Sequence, residues 1–196
     1  MNNRKSSGAA IALGAVGGIF IALCVLIGIY FSQMNKFNSL KQDCSAQYSR
    51  VESVMQRRYD LIPNLTETVK GNMKQEKAVF GKIAEARKAY NSANTASEKM
   101  KADNKINKSL NVLINNIHEN YPKLNSDKRV RDLMIELEGS ENRINVERKR
   151  YIDSVQVYNT AVNKYPGKFF ADAGGYHSID YYKADSNAQK APKVKF

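Results

Sequence analysis

Apolar and polar residues are distributed very unevenly along this chain. Residues 8–31, GAAIALGAVGGIFIALCVLIGIYF, carry no charged side chain. As a helix rising about 1.5 Å per residue they would span about 36 Å, enough to cross a hydrocarbon core about 30 Å thick with some tilt. A cleavable signal peptide has a shorter apolar region and a small-x-small exit. The exit here, Ile29-Tyr30-Phe31-Ser32-Gln33, lacks that signature. A lipoprotein site at Cys24 fits poorly, because Leu23 precedes it and more apolar residues come after it. The pattern therefore predicts an uncleaved membrane helix, with Tyr30 and Phe31 suited to the interface. Gly14 and Gly18 form a small-xxx-small pair, which permits a homo-oligomer by close helix approach. Glycine is also simply common in membrane helices.

After Phe31 the apolar positions recur at spacings of three and four, the period of a helix. A first segment reads Phe37, Leu40, Cys44, Val51 and Val54, with Gln47 and Arg58 interrupting it. A second reads Ile62, Leu65, Val69, Asn72, Glu76, Val79, Ile83, Ala86 and Tyr90. Between Val54, Arg58 and Ile62 the steps are four and four, a slip in phase beside Pro63. Asp60 suits an N-cap, and Pro63 would then fall in a first turn, where its missing N–H breaks nothing. A tight corner and a new helix are expected at DLIPNL; a proline kink in one rod is the alternative. Residues 91–104, NSANTASEKMKADN, read as a connection that is partly helical at best. A third segment, Ile106, Leu110, Leu113, Ile117 and Tyr121, stops at Pro122, and Asp127 can cap the next helix. The fourth segment runs from 127 to 165 through Val130, Met134, Leu137, Glu141, Ile144, Arg148, Tyr151, Val155, Tyr158, Val162 and Tyr165. That is roughly 58 Å of helix, with Gly139 its weak point and Pro166-Gly167 its stop.

These segments predict an all-α fold. A single N-terminal transmembrane helix is followed by an antiparallel bundle of about four long helices with coiled-coil-like packing and an irregular C-terminal tail. The expected organisation is a short polar and basic N-terminus at 1–7, the membrane helix at 8–31, the bundle at 32–166, and the tail at 167–196, partly packed on the bundle. Arg58, Glu76, Glu141 and Arg148 fall in the seams. They either mark ragged edges with outward-snorkelling stems or include a buried Arg–Glu pair that fixes register.

Charge changes this picture only modestly. The formal net charge of +12 fits a solvated basic surface, and beyond that an acidic partner such as anionic lipid. Nucleic acid is an unlikely partner for a tethered chain whose short basic runs, RVR at 129–131 and RKR at 148–150, have acidic neighbours. Arg4 and Lys5 before the membrane helix nearly balance Lys36 and Lys41 after it. The free N-terminal amine tips the large domain toward the outside of the cytoplasm. Cys24 and Cys44 make no metal spacing and no disulfide framework.

Little catalytic chemistry can be assembled. The two histidines, His118 and His177, belong to no His-Glu-x-x-His or Cys/His zinc pattern. GGYHS lacks the strand–helix context of a phosphate loop, and the neighbours in YHSID do not make a triad. Glu136 and Glu138 lie two apart and face different ways on a helix. No enzyme, cofactor or metal is expected.

RRYDLIPNLTETVKG (57–71), ELEGSENRINVERKRYIDSVQVYN (136–159), KYPGKFFA (164–171) and the terminal APKVKF resemble the LemA family, as does the single N-terminal membrane helix ahead of them. The resemblance implies a membrane-anchored helical domain and no established reaction, ligand or universal partner. LemA genes often lie beside those of membrane-bound metalloproteases. The expectation is a non-enzymatic scaffold or interaction module of the bacterial cell envelope, its protein partner unidentified. An accessory subunit of a membrane protease or transporter is the alternative. Candidate structural or interaction residues are Arg57, Arg58, Tyr59, Asp60, Pro63, Asn64, Glu138, Glu141, Asn142 and Arg148, with Arg57, Tyr59 and Asn64 offered to a partner at the corner.

Overall fold

A computed structural model describes residues 4–181, with side chains described over 14–181. The terminal block APKVKF and Tyr182 lie outside the described residues. Among the described residues every element is helical, as the pattern predicts. They are α1 (Arg4–Lys70), α2 (Lys77–Asn91), α3 (Ala96–Asn120), α4 (Pro122–Ser126), α5 (Lys128–Asn163) and α6 (Gly167–Gly174). They form two compact units. One is built from the residues up to Asp43 with Val155–Ile179, the other from Cys44–Ser154 with the described residues from Asp180.

The largest correction concerns the corner. Pro63 lies inside α1, which continues to Lys70. The phase slip disappears once the buried residues are read off. Val51, Met55, Arg58, Ile62, Leu65, Val69 and Met73 are buried, and their spacing runs four, three, four, three, four and four, with no slip at Pro63. Met55, not Val54, is the seam residue. With the apolar face continuous, packing holds the helix through one missing N–H donor. The real break comes at residues 71–76, beginning with Gly71, where Asn72 and Met73 both donate backbone N–H to the Val69 carbonyl. Glu76 then precedes α2 as its N-cap residue.

A second correction concerns residues 91–104. Thr95 and Glu98 form a reciprocal capping box that starts α3 at Ala96, so most of the supposed connection is helix. A cap of this kind satisfies two backbone donors that a helix start leaves open. Asp127 does cap α5, accepting from the N–H of Arg129 at 2.8 Å and Val130 at 3.1 Å. In the second unit the buried faces of α1, α2, α3 and α5 supply the core, among them Leu65, Ile83, Ile106, Leu113, Leu137 and Ile144.

In the first unit α1 exposes its apolar stretch, Val16 through Ile29, and a helix this long and apolar can cross a membrane. Gly14 and Gly18 face open space. Farther along, Phe37 is fully buried, its ring 5.3 Å from that of Tyr176. α5 ends at Asn163 rather than 165, since the residue before a proline avoids helical dihedrals. The tail is not irregular from its start. Residues 167–174 make the two turns of α6, and Gly175 ends it with φ 72°, a left-handed position natural to glycine. Gly167 is required at its own position, because a Cβ there would collide with the Ala161 carbonyl. Beyond α6 the chain is fastened to α5. Asn159 donates to the Ile179 carbonyl and accepts from the Ile179 N–H, both at 2.8 Å, while the Tyr158 hydroxyl donates to the His177 carbonyl at 3.0 Å.

Candidate functional site

The most unusual side chain in the second unit is Arg58, only 1% exposed. It sits where α1 would ordinarily put a hydrocarbon. Cys44, Val51 and Leu65, each seven or fourteen residues away, are buried on the same face. Its guanidinium forms ion pairs with Asp103 of α3 and Glu141 of α5. It also donates to the Asn107 side chain and the Asp103 carbonyl, both at 3.3 Å. Arg148, one heptad after Glu141 on α5, reaches the second Asp103 oxygen at 3.2 Å. Three helices thus meet on two arginines and two carboxylates whose formal charges cancel. Neutral pairing of this kind is what makes buried charge tolerable. Burial pushes the Asp103 carboxyl up from the ordinary aspartate range, and the Arg58 and then the Arg148 guanidinium pull it back.

Tyr90 feels the charges of Asp103 and Arg58, and further aromatic and charged pairs lie in the same unit. Tyr59 stacks on Tyr90 with ring centroids 5.1 Å apart, and Arg87 lies over the Tyr59 ring at 4.4 Å. Tyr48 packs against Tyr151 at 5.5 Å. The Tyr48 and Tyr90 hydroxyls are buried with no hydrogen-bond partner among the described residues. Burial, reinforced by nearby carboxylates, pushes Tyr90 up to about 12 and raises Tyr48 as well. Lys99 pairs with Glu52 at the half-exposed edge.

The sequence-predicted residues separate into three groups. Arg58, Glu141 and Arg148 come together as described. Arg57 is exposed and pairs with Glu136 at 2.8 Å; Asp60 is exposed and accepts from Gln56 at 2.8 Å. Asn64, Glu138 and Asn142 are exposed on helix faces, and Pro63 is half-buried. Tyr59, offered with Arg57 and Asn64 at the corner, is half-buried with its ring stacked on Tyr90. Glu76, the fourth seam charge, accepts from Asn116 at 3.0 Å.

Asp103 was missed by the sequence pattern, although a signal existed. The rhythm Ile106, Leu110, Leu113, Ile117 extends back by three to Asp103 and by another three to Met100, both buried. Reading 91–104 as a connection cut the seam short. Among the described residues, no group of three or more His, Cys, Asp or Glu is placed to hold a metal ion.

Residues 47–196 match the LemA family, a span that includes all four members of the charge cluster. The magnetosome protein MamQ of Magnetospirillum gryphiswaldense is 25% identical over 187 residues, covering 83% of this chain and 69% of its own. Magnetosome proteins MamQ 1 and MamQ 2 of Paramagnetospirillum magneticum are each 22% identical over 188 residues with the same coverage.

Proposed function

This chain belongs to the LemA family, and we propose that it is a membrane-anchored, non-enzymatic helical scaffold or interaction module of the bacterial cell envelope. The observation that carries the reading is the use made of Arg58. The most deeply buried charged groups are paired with one another across α1, α3 and α5, where they fix register rather than face a substrate. The apolar stretch of α1, exposed from Val16 to Ile29, supports the anchor. In this reading the bundle lies outside the cytoplasmic membrane and its exposed helix faces meet other envelope proteins.

The test is photocrosslinking in native membranes from Asn64, Glu138 and Asn142, all exposed. Discrete protein adducts, or adducts between copies of the chain, are expected. A single stoichiometric enzyme or transporter among them would replace the scaffold with the accessory-subunit reading. No adduct from any of the three positions would remove the interaction module altogether.

A further inference from the structure

The first unit carries a second membrane-facing feature beside the apolar helix. Phe170 of α6 packs edge-on against Tyr30, with ring centroids 6.3 Å apart. Tyr30 stands at the end of the uncharged stretch 8–31, so the contact fixes the depth of α6. Phe169 packs on Phe170 at 5.5 Å yet is 67% exposed, and Tyr165 is 74% exposed. Two large aromatic side chains are thus left uncovered beside the end of the span, with Pro166 between them.

Beside them lies a groove of about 470 Å³ whose lining includes Gln33, Lys36, Gln156, Thr160, Lys164 and Tyr165. Lys36 comes five residues after Phe31 on α1, which places it about 7.5 Å beyond the apolar stretch. A bilayer is roughly 40–45 Å thick with headgroups and about 30 Å without, so each headgroup layer is several ångströms deep. With α1 tilted so that its apolar stretch fits the hydrocarbon core, Lys36 falls near the headgroup layer, and Lys164 and Tyr165 line the same groove. Aromatic rings below and lysines above are the usual order of residues at that interface.

We propose that the Tyr165–Phe170 turn and the Lys36–Lys164 groove form a second membrane contact, embedded in the headgroup layer of the same bilayer and selective for anionic phospholipid. Phe169 and Tyr165 supply the apolar wedge; the lysines receive the phosphate. Each lysine held in that layer raises the local preference for an anionic lipid roughly fivefold. The proposal rests on α1 being the membrane anchor, and the experiment separates the two.

The chain contains no tryptophan, so a single introduced one reports its own depth. Full-length Phe169→Trp and, as a reference, full-length Leu23→Trp would be reconstituted in phosphatidylcholine–phosphatidylglycerol vesicles with one lipid brominated. The expected result has three parts. Leu23→Trp is quenched by bromines deep in the chain. Phe169→Trp is quenched by bromines near the headgroup, and several-fold more when phosphatidylglycerol carries them. That preference disappears in Lys36→Gln/Lys164→Gln. Quenching at 23 without quenching at 169 overturns the second contact and leaves the anchor standing. Equal quenching by both lipids overturns the anionic selectivity that defines it. Quenching at neither position removes the anchor and this contact with it.

Discussion

Replacing Arg58 by methionine would leave Asp103 and Glu141 without the guanidinium that both engage. Breaking a buried pair from one side costs about 3–5 kcal/mol, so a large fall in thermal stability of the detergent-solubilised chain is expected by circular dichroism. Replacing Arg58, Asp103, Glu141 and Arg148 together with apolar residues of similar volume should restore most of that loss. If the quadruple variant is no more stable than the single one, the cost does not lie in stranded charge. A second residue sets an acid limit. The Glu98 carboxylate accepts from the N–H of Asn94 at 3.0 Å and Thr95 at 3.1 Å, which holds it below the ordinary glutamate range. An acid held low in the folded state contributes stability above its unfolded pKa, and that contribution is lost as pH falls through the folded value. Glu98→Gln keeps the capping geometry and should flatten the decline in melting temperature below about pH 5; an unchanged acid limb would contradict this. Arg58 and Glu141 were visible in the sequence as charges in apolar seams. Their shared partner was not, because Asp103 lies among small polar residues whose helical rhythm shows only when counted back from Ile106.

Among the elements, α1 tests how far packing overrides local preference. Pro63 removes the donor that would meet the Tyr59 carbonyl four residues earlier, at a cost of up to about 3 kcal/mol in a helix interior. The helix forms regardless because Ile62, Leu65, Val69 and Met73 around and beyond the proline stay buried on the seam that Val51 and Met55 begin. Pro63→Ala should therefore stabilise the protein, raising its melting temperature by about 2–4 °C per kcal/mol gained at this chain length. A lower melting temperature would mean that the packing around residue 63 depends on proline itself. The helical periods of α1, α3 and α5 could be read directly from three-four spacing. The boundaries could not, since they were set by a single seam residue misread at 54, by a capping box inside a polar run, and by a break at Gly71 that no proline marks.

At the scale of the whole molecule, membrane side is the property on which every partner assignment depends. In a variant lacking Cys24 and Cys44, a cysteine at exposed Arg131 should react with a membrane-impermeant maleimide on intact cells. Labelling only after lysis would place the bundle in the cytoplasm. Sequence alone leaves this nearly balanced because the flanking charges are close to a tie. The charge cluster also constrains how such a chain can change over generations. A lineage that loses Arg58 first strips both Asp103 and Glu141 of the guanidinium they share, at a cost of about 3–5 kcal/mol, a large share of the roughly 5–15 kcal/mol that holds a typical domain folded. Glu141 differs, with 24% of its side chain exposed to water. Its loss still leaves Arg58 paired with Asp103. Drift in this cluster is cheapest where the partner left behind keeps a second ion pair, as Arg58 does with Asp103 when Glu141 goes and Asp103 does with Arg58 when Arg148 goes.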